Sequence, residues 1–272
     1  MLTMNGTTEF GCSTYACMDL PLYEALVKIR EKTGLIEILS DGPHDLFRHI
    51  DACHDVDARY TVHAPGTDIN LGSTNDRIRS FGIQVLDELC GICDLLNAEN
   101  LVVHPGYTAW SQSAGESQAA FLRSLADLSR LQEEHDVRIA VENMGSWECC
   151  HFRTPDTLPQ IVNLGLGYTL DVGHAHLNHV LREFAESAPP THIHLHDNGG
   201  TVDDHAACGT GTIDFPSLLP RLPEDIPCIL EVKSLEEFDE SIRYLSGIGP
   251  EPGNRTGSAN RDGPGEGNPG KV

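Results

Sequence analysis

Apolar positions along this chain alternate between two rhythms. Eight short runs, FGCST, LIEIL, YTVHAP, NLVVHPG, RIAVENM, GYTLDVGHAH, THIHLHD and CILEVK, are dense in β-branched and aliphatic residues, as expected of strands buried on both faces. Between them apolar residues return every three or four positions, which predicts helices at 21–34, 44–55, 75–96, 118–135, 156–165, 178–187 and 234–247, with a shorter apolar segment at 215–222. Strand followed by helix, repeated eight times, predicts a closed parallel (β/α)8 barrel in one α/β domain over residues 1–248. An open doubly wound sheet would account for the same alternation. The 272 residues suit one barrel, whose usual length is about 250. After residue 248 the rhythm stops. GPEPGNRTGSANRDGPGEGNPGKV holds almost no apolar side chains, cannot offset its ordering entropy by burial, and predicts a disordered Gly/Pro-rich tail over 249–272.

The closed barrel is favoured by where polar residues interrupt the strands. His63, His104, Glu142, Asp171 with His174, His194 and Glu231 stand at the ends of the third to eighth strands. Roughly one βα unit separates successive ones, so a barrel would gather them at one rim. Asp203 and His205, in VDDHAACGTGTIDF, join them and make a set of five imidazoles and four carboxylates. Mixed N and O donors suit Zn, Mn, Co or Fe(II), and Glu142 and Glu231 among apolar neighbours would be costly unless paired or metal-bound. Two nested arrangements fit. A quartet of Glu142, Asp171, His194 and Glu231 holds one divalent ion while the rest bind substrate, or all nine hold two or three ions that activate a water and clamp a phosphoryl oxygen. His176 and His196 alternate with these residues and are expected to support them. His44, His49, His54, His135, His151 and His179 fall in predicted helices or loops and are set aside.

Composition narrows the setting. No apolar run approaches the ~20 residues of a membrane span, and the opening MLTMNGTTEFGC has no basic segment followed by a long apolar one, so neither a membrane partner nor a secretory signal is expected, and the expected location is cytoplasmic. Nine scattered cysteines read as reduced thiols, and Cys90 and Cys93 share the buried face of a predicted helix. With 18 basic and 41 acidic residues the formal charge is -23, which repels phosphate backbones and points to a small-molecule partner.

These residues resemble the xylose isomerase-like TIM barrel superfamily, which includes endonuclease IV and the sugar phosphate isomerases and epimerases. The resemblance runs from Phe10 to Gly247. It rests on HAP at His63, HPG at His104, VEN at Glu142, LDVGHAH at Asp171 and His174, HLHDN at His194, D-x-H followed by G-x-G-x-I-D from Asp203, and LEV at Glu231. The endonuclease IV likeness implies that His63, His104, Glu142, Asp171, His174, His194, Asp203, His205 and Glu231 hold three zinc ions. The epimerase likeness implies one ion on Glu142, Asp171, His194 and Glu231, the two glutamates serving as acid and base on either side of the sugar and His174 near the substrate. Endonuclease IV carries a tyrosine after the first histidine, D-T-C-H around the aspartate and N-D-[SA]-K after the seventh strand, whereas this chain reads HAPGTDINLG, DVGHAH and HLHDNGG. The expected function is therefore a divalent-metal-dependent (Zn, Mn or Co) sugar or sugar-phosphate isomerase or epimerase, catalysed by Glu142, Glu231 and His174. Trp147 would stack on the sugar and Lys233 would meet a substrate phosphate. The alternative is an endonuclease IV-like phosphodiesterase at abasic DNA sites, the one reading in which DNA is the partner.

Overall fold

The computed structural model describes residues 3–4, 8–223 and 225–248; the tail expected over 249–272 lies outside them. Eight parallel strands follow one another around the sheet: β1 (Thr8–Ser13), β2 (Leu35–Leu39), β3 (Arg59–His63), β4 (Asn100–Val103), β5 (Arg138–Glu142), β6 (Gly167–Asp171), β7 (His192–Leu195) and β8 (Cys228–Leu230). Pairing of β1 with β8, Phe10 opposite Cys228 and Cys12 opposite Leu230, closes the barrel. The two-residue strand Thr3–Met4 pairs antiparallel with β1. The open-sheet alternative is thereby excluded.

Strand alternation divides the side chains into two layers. Ile36, Ile38, Val62, Leu101, Val103, Ile139, Val141, Leu170, Ile193 and Leu195 join the main apolar cluster with helix residues such as Leu26, Leu86, Phe121 and Leu128. The alternate residues Glu37, Thr61, His63, Glu142, Thr169, Asp171, His192 and His194 are buried as well. The barrel interior is thus polar over much of its height, and buried polar groups must find partners.

The long helices are where their periodicity predicts, with ends set by local chemistry. Asp76–Leu96 begins at Asn75, whose side chain accepts from the Arg77 N–H, and stops at Asn97 in the left-handed conformation. Ala114–Glu134 starts four residues before the predicted 118, because its first turn, AGES, has no apolar residue larger than alanine to carry the pattern. Residues 44–55 form two short turns, Leu46–His49 and Asp51–His54, instead of one helix. The sixth strand also ends earlier than its run of residues suggests. Asp171 closes it, its carboxylate accepts from the His174 N–H, and Val172–Leu177 is helical. That change of direction carries His174 across the mouth of the barrel. Among the described residues no helix is long and apolar enough to cross a membrane, and all nine cysteines are free thiols.

Candidate metal centre

The C-terminal ends of β3 to β8 place His63, Glu142, Asp171 and His194 within their strands and His104 and Glu231 one residue beyond. Pairing sets Asp171 directly opposite His194. Asn143 fastens the ends of β5 and β6: its amide donates to the Asp171 carbonyl at 3.0 Å and accepts from the Asp171 N–H at 2.8 Å. Asp203 and His205 arrive on the loop after β7, which is wound around Asp197. The buried Asp197 carboxylate accepts from the backbone N–H groups of Asn198, Gly209, Gly211 and Ile213. A Cβ on Gly211 would sit 2.3 Å from that carboxylate, so only glycine lets the loop close so tightly. His205 itself adopts φ of +43°, a left-handed conformation that costs a non-glycine residue of order 1 kcal/mol or more and concentrates at functional sites.

All nine residues singled out as ligands converge, and they form three groups. His63, His104 and Glu142 make one; Glu142, Asp171, His194 and Glu231 the second; His174, Asp203 and His205, joined by His196, the third. Within each group the donor atoms lie within 4.8 Å of one another. Glu142 is shared: its Oε2 lies 3.1 Å from His63 Nε2 and 3.0 Å from His104 Nε2, while Oε1 lies 3.0 Å from His194 Nδ1. In the third group Asp203 Oδ2 is 3.1 Å from Nε2 of both His174 and His205.

Four imidazoles are oriented in the same way. The Nδ1–H groups of His63, His104, His174 and His205 donate to the carbonyls of Ala64, Gly66, Asn143 and Glu231 at 2.6, 2.8, 2.9 and 2.9 Å. Nε2 is left facing the carboxylates, the arrangement by which proteins present a histidine to a metal. His196, one of the two expected supporting residues, donates from Nε2 to both Asp171 oxygens at 3.2 Å. Its ring lies against Gly173, where a Cβ would come within 2.0 Å of it. His176 turns away and meets Thr212 at 2.9 Å.

Electrostatics follow this crowding. Burial works against the ionised form of Glu142, but His194, His104 and His63 outweigh it and hold the carboxyl well below its ordinary range. Burial likewise opposes charge on His63, His174 and His205. Glu142 nonetheless pushes His63 up to about 9, Asp171 and Asp203 push His174 up to about 10, and Asp203 with Glu231 pushes His205 up to about 9. The donor set therefore fits divalent cations on three counts: mixed N and O ligands, convergent geometry, and a buried Asp203 Oδ1 that has no hydrogen-bond partner.

The centre opens into a cleft of about 210 Å³ lined also by Tyr15, Leu39, Asp41, Met144 and Trp147. Trp147 stands edge-on to His174, ring centroids 5.7 Å apart, and is half exposed, placed to touch whatever enters. Lys233 is exposed, its backbone N–H donates to Glu237, and it lines a neighbouring groove that shares Tyr15 with the cleft. Three participants were not identified from the sequence: Tyr15, and the buried pair Glu37 and His192 beneath the centre, where His192 Nε2 comes within 2.8 Å and His194 Nε2 within 3.0 Å of the Glu37 carboxylate. The available signal was a lone glutamate inside the apolar run LIEIL.

Residues 39–248 match the family described as xylose isomerase-like TIM barrel. The Methanocaldococcus jannaschii protein MJ1614 is 34% identical over 243 residues, 87% of this chain and 95% of its own length. A probable endonuclease 4 of Mycobacterium ulcerans is 32% identical over 200 residues, 68% of this chain and 76% of that protein. Among solved structures, a D-tagatose 3-epimerase-like protein superposes with a TM-score of 0.78 at 27% identity, covering 88% of this chain and 96% of its own.

Proposed function

The chain belongs to the xylose isomerase-like TIM barrel family, and on that premise we propose that it is a metal-dependent phosphodiester hydrolase using two or three divalent ions. One observation carries this reading: all nine donor residues are present and fall into three groups, two of which share Glu142, whereas sugar chemistry of the epimerase type calls on four. The relative named a probable endonuclease 4 points the same way. Sequence alone favours sugar chemistry; the completeness of the two outer groups reverses that order.

Divalent ions held in these groups would polarise a phosphoryl oxygen and acidify a water. The chain's own residues supply the rest. Glu142 offers one oxygen to the His63 and His104 side and the other to the His194 side, which makes it the residue to share between neighbouring ions. Asp203, between His174 and His205, is kept anionic by those two imidazoles despite its burial. Tyr15 stays a phenol, because burial together with Glu231 and Asp203 raises its pKa, and so serves as a hydrogen-bond donor to a substrate oxygen. Leu39 and Met144 give the cleft part of its apolar lining. The formal charge of -23 argues against polyanion binding over the surface at large, but divalent ions held in these groups would be the dominant local charges and would favour an anion at the mouth.

The second reading is epimerisation of a sugar on the quartet of Glu142, Asp171, His194 and Glu231. It is supported by that quartet being complete in itself and by the likeness to the D-tagatose 3-epimerase-like structure. The two separate on one experiment: zinc- or manganese-reconstituted protein is given a duplex oligonucleotide with a single abasic site and, in parallel, a ketohexose. Incision of the duplex is expected. A protein that leaves the duplex whole and epimerises the sugar is not the hydrolase proposed.

A further inference from the structure

His194 is oriented differently from the other four imidazoles. Those use Nδ1–H on a backbone carbonyl and turn Nε2 to the carboxylates. In His194 it is Nδ1 that faces the centre, 3.0 Å from Glu142, 3.8 Å from Asp171 and 3.6 Å from Glu231, and no backbone carbonyl receives its Nε2. Directly below, across the barrel on β2, Glu37 Oε1 lies 3.0 Å from that nitrogen. Both atoms are fully buried and neither has an aligned hydrogen-bond partner, so each is the partner available to the other. Glu37 is itself held in place: Thr61 donates to its Oε2 at 3.2 Å, and His192 Nε2 lies 2.8 Å from the same oxygen.

We propose that Glu37 is a positioning residue of the metal centre: it takes the Nε2–H of His194 and thereby fixes the tautomer whose Nδ1 lone pair points at the quartet. The role is the one that backbone carbonyls perform for the other four imidazoles, transferred to a side chain because the ring is reversed. A carboxylate does it with more effect than a carbonyl, since an anionic acceptor raises the basicity of the ligating nitrogen. This chemistry has a reason to sit below the ions. Glu37, His192 and His194 are 0% exposed, so solvent cannot supply the missing partner or screen the interaction. His192 completes the arrangement as a second contact to the carboxylate, which prevents Glu37 from rotating away. The inference rests on the quartet binding a divalent ion, as the proposed function requires, but concerns which nitrogen of His194 carries the proton.

The test uses the full chain, labelled with 15N in histidine, and zinc. In the zinc-loaded protein, 1H–15N correlation through the imidazole should show His194 with its proton on Nε2 and zinc on Nδ1, opposite to His63, His104, His174 and His205. Glu37→Gln should weaken zinc binding at one group by about 10- to 100-fold, as loss of an outer carboxylate typically does, while the other groups keep their affinity in competition titrations with a chromophoric chelator. Glu37→Asp, which preserves the charge, should recover part of the loss. A zinc-loaded wild-type spectrum with the His194 proton on Nδ1 and none on Nε2 would overturn the proposal without any variant having to fold. So would Glu37→Gln protein that binds zinc with wild-type affinity at every group. If wild-type protein binds no divalent ion, the hydrolase reading fails instead, and in the metal-free spectrum a His194 Nε2 that carries no proton would overturn the present proposal, whereas an Nε2–H is the result expected.

Discussion

Strand β3 carries an ion pair at each end, and the two have the same length. At its start Arg59 Nη1 lies 3.1 Å from Glu9; at its finish His63 Nε2 lies 3.1 Å from Glu142. The first Arg side chain is 54% exposed, whereas the second pair is exposed by only 4% and 1%. Equal distances therefore carry unequal consequences. Water screens Arg59 and its partners Glu9 and Glu99, so each such contact is worth about 0–1 kcal/mol. At the other rim two ionisable groups have been withdrawn from water together, and removing one leaves the other buried without compensation. One end of the strand holds surface pairs of small energetic weight. The other concentrates buried donors at a cost that folding alone does not repay, as expected of a site kept for its chemistry.

The largest effect expected from disturbing this contrast is at Glu142. Glu142→Gln removes the carboxylate shared by two donor groups, so metal content per chain should fall and duplex incision should drop by more than the roughly 100-fold that bounds the loss of an outer-shell partner. Elemental analysis beside the incision assay checks both, and retention of full metal content would show that Glu142 is not shared.

Stripping the metal comes next. An ion at about 100 times its Kd adds about 2.7 kcal/mol, and for a chain of this size each kcal/mol moves Tm by about 2–4 °C. Chelation should lower Tm by roughly 5–10 °C for each ion removed, read by calorimetry with and without added zinc.

A pH dependence should accompany the chelated form. His63, His174 and His205 have folded pKa values pushed up to about 9, about 10 and about 9, above the unfolded value of about 6.5. Their contribution to stability is therefore fully present below about pH 6.5 and lost as pH rises through about 9 to 10. Glu142 and Asp203 are shifted down, so their contribution is present above about pH 4 and lost on acidification. Chelated protein should lose Tm between pH 7 and roughly 10. Zinc binding has to displace the imidazole protons, so zinc should bind more tightly as pH rises over the same range and release protons in unbuffered titrations. A flat Tm in chelated protein would show that the imidazoles are not held as cations.

Arg59→Ala is the smallest change. It should cost less than about 1 kcal/mol and leave metal content unaltered; a loss of metal on this substitution would erase the distinction between the two ends of β3.

How much of this was visible beforehand follows from the same geometry. Strands and helices were legible because apolar residues repeat with the period of each element, and ligands at strand ends were legible because a barrel forces successive strand ends together. Even Asp203 and His205, on a loop, could be found from their D-x-H spacing. The helical turn that carries His174 was hidden, since VGHAH after an apolar run reads as more strand. Glu37 and His192 were hidden for a deeper reason. They lie inside their strands, below the rim, and a lone polar residue there is read as facing solvent unless the partner across the barrel is known. Glu37 on β2 and His192 on β7 are far apart both in sequence and around the sheet, so no local pattern links them. The loop around Asp197 is of the same kind: its shape depends on four backbone N–H groups converging on one carboxylate.

The most direct measurement is the number of divalent ions per chain, by elemental mass spectrometry on untagged protein purified without chelator. Two or three ions per chain, falling in the Glu142→Gln variant, are expected of three donor groups of which two share one glutamate. A single ion confined to Glu142, Asp171, His194 and Glu231, with His63, His104, His174, Asp203 and His205 replaceable without loss of metal, would contradict the hydrolase reading and return the protein to sugar chemistry.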